Sequence, residues 1–372
     1  MTAAVCGVGT SAFAKQSQRS LASLAWTAIE EAFADAGVTS VDAVYVGSVF
    51  AAPGAAQRAL HGFGITEVPI LTIENACASG TSAFHEARIA VASGRFERVL
   101  ALGIEQMSTL FDGAIHPEAT DPEGRSGMAL PGLYAMSAAR YRHEFGVQPW
   151  QLAAVAVKNR RHAVGNSRAQ FRRETTIEEV LASRMIADPL TLLQCCPIAD
   201  AAAAAVIAPA RRARDVPIRA SVLRSGKLWD HRSPFVWGFE VARDTARAAF
   251  EKAGIEPGDV DVLEVHDAFT IGEIVTVEAL GLVEIGRGAA AIESGRFGLG
   301  GSQPVNTSGG LLSRGHPLGA TGLAQVAEIV WQLRGEAGER QVEDARVGVV
   351  ETMGGGVAGI DANACVVAVL GG

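Results

Sequence analysis

The chain repeats itself, and the repeat restricts what it can fold into. The stretch "EEAFADAGVTSVDAVYVGSVF", ending at Phe50, has a counterpart in "RAAFEKAGIEPGDVDVLEVHDAF", ending at Phe269. Each predicts an amphipathic helix, a glycine that stops it, and a β-rich strand. The segments beyond them also match in kind: "NACASGTSAFHEARIAVASG" after the first copy, "GHPLGATGLAQVAEIVWQLRG" after the second. Both open on a reactive residue, Cys77 or His316, place a glycine three positions on (Gly80, Gly319), and enter a long helix. A short apolar strand comes after each, "RVLALGIE" and "RVGVVETM". A duplicated unit of this kind predicts layered sheets and helices. The small residues at the two helix entrances let backbones approach closely. Packing about a pseudo-twofold axis would then bring Cys77 and His316 to one cavity.

At 372 residues the chain exceeds one ordinary core, which agrees with two domains or two closely packed halves. Between the copies, residues 107–194 read differently. A loop, "FDGAIHPEATDPEGRSG", precedes the helical patterns "LYAMSAARYRHEFG" and "WQLAAVAVKNRRHAV". We read this as an insertion on the first half, serving as a functional lid or as a dimer-contact arm. The chain returns through "CCPIADAAAAAVIAP", an apolar strand. The expected division is residues 1–106 with 195–215 as the N-terminal half, 107–194 as the inserted loop domain, and 216–372 as the C-terminal half.

Composition removes several functions. A net charge of −8 argues against nucleic acid as the main partner. No apolar run reaches transmembrane length, and the N-terminus lacks the basic and apolar regions of a signal peptide, so a cytoplasmic location is expected. Five scattered cysteines (Cys6, Cys77, Cys195, Cys196, Cys365) fit a reducing compartment better than a disulfide framework. None has the spacing of a zinc site, so no metal is expected, and the adjacent Cys195 and Cys196 read as structural. The glycines of "CGVGTSA" and "ETMGGGVAG" match neither the dinucleotide fingerprint nor a phosphate loop.

Cys77 stands where a helix begins. Partial positive charge and unpaired N–H groups there stabilise a thiolate and can hold a developing oxyanion. Neutral imidazole is the natural base for such a nucleophile, and "EVHDAF" and "SRGHPLGATG" supply His266 and His316. The glycine run "ETMGGGVAG", which follows a strand, either makes a tight turn or offers a backbone N–H at Gly354.

Together "NACASG", "HDAF", "NTSGGLLSRGHPLGATGLAQVAEIVWQLRG" and "MGGG" resemble the thiolase superfamily over nearly the whole chain, most closely the sterol-carrier-protein and lipid-transfer type of acetyl-CoA acetyltransferase. The resemblance implies a five-layered αβαβα fold of two duplicated halves with an inserted loop domain. It implies a homodimer, with coenzyme A thioesters as substrates, CoA as co-substrate and no permanently bound cofactor. It makes Cys77 the acylated nucleophile, His316 its base, and His266 the histidine of an HDxF motif. The N–H groups of Cys77 and Gly354 would hold the acyl oxygen.

One feature departs from that family. A second cysteine normally moves a proton on the α-carbon or on the incoming thiol. At its two usual positions this chain has Thr352 and Ala268, while Cys365 lies beyond, in an apolar strand. A threonine hydroxyl is far too weak an acid to substitute. His266 is the replacement expected, with Asp267 and Glu351 as weaker candidates. The function so implied is thiolytic cleavage of a 3-oxoacyl-CoA, or its reverse Claisen condensation. Two alternatives stand beside it: a retro-aldol lyase on a 3-hydroxyacyl-CoA with a small OB-fold partner protein, and a non-catalytic lipid or acyl carrier. The basic stretches "VKNRRH" and "AQFRRE" either meet CoA phosphates or form a solvated helix face.

Overall fold

The structure, a computed structural model, describes residues 2–113, 115, 122–230, 232–355 and 359–372. Parts of the loop at 111–127 and of the glycine run at 351–359 therefore lie outside the described residues.

The first half contains β1 (Ala3–Thr10), α1 (Leu21–Ala36), β2 (Ala43–Gly47), α2 (Ala55–Phe63), β3 (Ile70–Ile73), α3 (Ser79–Ala92) and β4 (Val99–Gln106). The intervening region carries α4 (Pro122–Arg125), α5 (Leu130–Phe145), α6 (Pro149–Val164), α7 (Ile177–Ala182), β5 (Met185–Ala187) and β6 (Leu190–Thr191). Next come β7 (Asp200–Pro209), β8 (Val216–Arg224), α8 (Phe239–Ala253), β9 (Val262–Glu264), α9 (Thr270–Ala279), α10 (Gly288–Glu293), α11 (Gly310–Arg314), α12 (Leu318–Arg334), β10 (Val347–Gly354) and β11 (Ala364–Gly371).

The punctuation read from the repeat is present in both copies. Helix α1 stops at Gly37 (φ 66°) and α8 at Gly254 (φ 65°), both in the left-handed conformation that favours glycine. In each copy the chain then enters a short strand buried along its length, β2 or β9.

The duplication is explicit in the sheet, whose order is β3-β2-β4-β7-β1-β8-β11-β10-β9. Its two halves join where β1 pairs antiparallel with β8 at Val5–Val216. Outward from that seam, the first half runs β1, β7, β4, β2, β3, with antiparallel, antiparallel, parallel and parallel pairings. The second half runs β8, β11, β10, β9 in the same senses, and a parallel bridge from Leu263 to Val305 stands in place of β3.

Helices α3 and α12 pack against each other and against strands of both halves, forming a middle layer. Helices α1 and α2 cover the outer face of the first half, and α8 and α9 that of the second. The result is the expected αβαβα stack. Strand β7, an almost unbroken alanine run, is covered on both faces, by α1 and by α12. A strand buried on both sides needs no polar alternation, and small side chains let both helices come close.

The intervening helices do not stay with the first half that they interrupt. Helix α5 packs on α9, and α6 packs on α9, α10 and α11. Lys158 of α6 forms a buried ion pair with Glu273 of α9 at 3.0 Å and donates to the Val305 carbonyl at 2.7 Å. His162 is buried between Asn306 and Leu299. Part of "VKNRRH" is thus internal framework, leaving Arg160 over the Phe171 ring and Arg161 at the surface. Among the described residues no helix is long and apolar enough to cross a membrane.

Candidate active site

Cys77 lies just before α3, after Ala76, a non-glycine residue held at φ +48°. Such a backbone costs on the order of 1–3 kcal/mol and persists only where the surroundings impose it. Here they do: the Ala76 N–H donates to Glu74 at 2.7 Å, and its carbonyl accepts from the Ser79 hydroxyl at 2.6 Å. The turn aims the thiol at the start of α12, contributed by the other half.

There the Cys77 Sγ lies 3.2 Å from His316 Nε2. The Thr321 hydroxyl, one helical turn on, donates to the Pro317 carbonyl at 2.9 Å. It must then accept from His316, whose Nδ1 is 2.7 Å away. The proton therefore sits on Nδ1, and the Nε2 lone pair faces the thiol. The His266 ring stands edge-on to that of His316, with centroids 5.2 Å apart. The sulfur and one nitrogen from each ring all fall within 4.8 Å of one another. These are also donors that zinc accepts, one fewer than a closed tetrahedral site needs.

Burial governs the protonation of the trio. It pushes the Cys77 thiol up to about 12, despite N–H groups of Gly355 and of Cys77 itself that favour the thiolate. Burial likewise pushes His266 down to about 3 and holds His316 well below the usual imidazole range, with His266 and Arg314 adding to the latter effect. The helix N-terminus favours the thiolate. Desolvation outweighs it, and the resting pair is neutral thiol and neutral imidazole.

A buried carboxyl fastens this geometry. Glu105, at the end of β4, accepts from the N–H groups of Val49 at 2.9 Å, Phe50 at 3.0 Å and Gly319 at 3.0 Å. It ties the first half to the entrance of α12. Sequence reading passed over it, although a charged residue closing an apolar strand is a visible anomaly. Thr321 of "GHPLGATG" likewise carries no local sequence signal of its role.

The remaining candidates fall elsewhere. The Asp267 carboxylate accepts from Leu311 N–H at 2.7 Å, Leu312 N–H at 3.3 Å and the Asn159 amide at 2.7 Å, which makes it a latch for α11 and α6. Glu351 accepts from the His266 N–H at 2.9 Å and so holds that histidine's backbone. Thr352 is fully buried and donates to Gln325 at 2.6 Å. Cys365 is fully buried in β11 against Glu351. Gly354 closes β10, where a β-carbon would lie 2.2 Å from the Asn75 carbonyl oxygen; it is Gly355 whose N–H bears on the sulfur.

His266 Nδ1 is buried without a hydrogen-bond partner, and the residue lines a small cavity with Tyr134, Trp237, Ile271 and Met353. Tyr134, from the inserted region, is stacked at a tilt on Phe269, centroids 4.5 Å apart. The insertion therefore contributes part of the wall of this cavity.

Residues 2–211 match the N-terminal domain of thiolases, and residues 228–368 match a thiolase C-terminal-domain-like family. The chain is 43% identical over 367 residues to an acetyl-CoA acetyltransferase of Methanothermobacter thermautotrophicus, covering 95% of this chain and 96% of that protein. It is 37% identical over 384 residues to sterol carrier protein 2 of Oryctolagus cuniculus, covering 96% of this chain and 70% of the relative. Among solved structures it resembles an Ltp2-ChsH2(DUF35) aldolase, with a TM-score of 0.85 and 26% identity over 100% of this chain and 97% of that one.

Proposed function

The chain belongs to the thiolase family, a family of acyltransferases, and on that premise we propose that it cleaves a 3-oxoacyl-CoA with CoA, or runs the reverse condensation, through a thioester on Cys77. The observation that carries this reading is the 3.2 Å contact between Cys77 Sγ and the unprotonated Nε2 of His316. His316 takes the thiol proton as the sulfur attacks the 3-oxo carbon, so charge forms only when the carbonyl is there to receive it. N–H groups of Cys77 and of the Gly354–Gly355 segment hold the oxygen that becomes negative. His266, with its basicity removed by burial, acts better as a donor to the oxygen of the departing enolate than as the proton-abstracting base expected from the sequence. CoA is a substrate that enters and leaves. A homodimer, a cytoplasmic location, and the division at 1–106 with 195–215, 107–194 and 216–372 belong to the same proposal.

Incubation with a panel of acyl-CoAs, with mass spectrometry of the intact chain and its peptides, should show the acyl mass on Cys77. A Cys77 left unmodified across the panel would refute the reading.

One observation supports a second reading: the structural likeness to an aldolase complexed with a DUF35 protein. A retro-aldol lyase on a 3-hydroxyacyl-CoA, working with such a small partner, forms no acyl-cysteine. Cys77→Ser decides between them, because a lyase keeps its activity and a thiolase loses nearly all of it.

A further inference from the structure

A thiolase reaction must place a proton on the α-carbon of the departing enolate, and later take one from the incoming thiol. The two positions where a second thiol is expected hold Thr352 and Ala268. The first is closed off by Gln325, and His266 is a poor base. The segment Cys195–Ile198 runs directly beside both histidine loops. The Cys196 N–H donates to the Ala268 carbonyl at 2.8 Å, and Cys195 bridges to Phe269. One residue on, the Pro197 carbonyl accepts from the His316 N–H at 3.1 Å, and Ile198 packs on the cluster that contains Cys77. The Cys196 side chain is partly buried against the apolar core of the second half.

The other four thiols are engaged: Cys6 with the Ala4 carbonyl, Cys77 with His316, Cys195 with the Thr191 carbonyl, Cys365 with Glu351. Among the described residues, the Cys196 thiol has its own backbone N–H beside it and bonds to no other side chain. Two positions before Ala268, the Nδ1 of His266 is unpartnered in a residue only 4% exposed. A polar atom buried there without a partner marks the space as one that a polar substrate group completes.

Resting on the thiolase reading above, we propose that Cys196 is the second catalytic thiol, reached from a neighbouring segment of the chain and standing in for the cysteine absent at Ala268. In the cleavage direction the Cys77 sulfur bonds to C3, the C2–C3 bond breaks, and its electron pair goes to C2. C2 takes the proton of the Cys196 thiol. The Cys196 thiolate then takes the proton of the entering CoA thiol, and the CoA sulfur displaces the acyl group from Cys77. The Cys77 sulfur recovers the proton that His316 held, so both cysteines end as they began. Burial holds the Cys196 thiol well above its usual range, which keeps it protonated until an enolate forms; negative charge at Cys77 or at Cys196 is felt at the Tyr134 hydroxyl.

The test uses the full-length protein with acetyl-CoA in deuterium oxide. Two quantities are read by mass spectrometry: acetyl label on Cys77, and deuterium entering the methyl group of acetyl-CoA. The expected result for Cys196→Ala and Cys196→Ser is deuterium entry slowed by at least about 100-fold, the lower range for losing a general acid-base group, with Cys77 still acetylated but more slowly, because the proton that Cys196 gives the departing CoA sulfur in that step can also come from water. Deuterium entry at the wild-type rate in both variants overturns this assignment and leaves the acyl-enzyme reading standing. So does a wild type that is acetylated but admits no deuterium. Loss of both signals in Cys196→Ser, the change closest in size, reassigns the residue to packing. A wild type that is never acylated by any acyl-CoA overturns the thiolase reading itself, and this assignment with it.

Discussion

A β-carbon placed on Gly80 would lie 2.5 Å from the carbonyl oxygen of Gly319. The two glycines occupy matching places in the duplicated unit, each three residues beyond the group that does the chemistry. They are the point at which α3 and α12 touch. Gly80→Ala sets two effects against each other. Alanine is the better helix former by about 1 kcal/mol. Overlap with backbone that cannot swing aside costs about 3 kcal/mol, so destabilisation wins. Urea unfolding should show a net loss of about 2 kcal/mol, the difference of those two effects. Because the shift separates the helix starts, acylation of Cys77 should fall by more than the unfolded fraction explains.

Thr321 sets the tautomer of His316, and its removal should be felt at a sulfur that it does not touch. Thr321→Val keeps the shape but leaves the Nδ1–H without an acceptor, a penalty of about 1–3 kcal/mol. The ring can escape it by moving its proton to Nε2, which abolishes the base. The expected loss in Cys77 acylation rate is about 10- to 100-fold, the usual range for a group that orients a catalytic one. Thr321→Ser, which retains the hydroxyl, should recover most of it in rapid-quench mass spectrometry.

The neutral resting pair predicts how Cys77 responds to pH. With the thiol pushed up to about 12, the thiolate fraction grows about tenfold per pH unit throughout the neutral range. Alkylation by iodoacetamide, monitored at the Cys77 peptide between about pH 6 and 9.5, should rise steadily. A plateau near neutral pH would reveal a thiolate–imidazolium pair instead.

Glu105 should make stability depend on pH. Burial raises its carboxyl to about 7 from an ordinary 4.5, against the pull of its three N–H donors. Below 4.5 it is protonated both folded and unfolded. Between 4.5 and 7 only the folded state keeps the proton, so its contribution to stability declines as pH rises. The full span corresponds to roughly 3 kcal/mol. Glu105→Gln cannot ionise and lacks this slope. The difference in unfolding free energy between wild type and variant should therefore shift towards the variant from pH 4.5 to 7, and stay level above.

Local signals carried the sequence reading a long way. Apolar periodicity and stop glycines such as Gly37 and Gly254 are written within a few residues of the turns they control, so the helices, the strands and their duplication were legible. Duplication in turn implied that the helix starts at Cys77 and His316 converge, which brought the nucleophile and its base together across 239 residues. Protonation was not legible, because it depends on how completely water is excluded, and that is settled by every segment packed around the site. The same reason separates Cys195 from Cys196: neighbours in the chain with one chemistry, of which the thiol of one bonds to the Thr191 carbonyl while the backbone N–H of the other holds the Ala268 carbonyl. Nor could the sequence show that Glu105 fastens Gly319, that Lys158 is spent on Glu273, or that the inserted helices cross to the second half. Each of these is a meeting of distant segments, and only the closed fold decides which side chains meet.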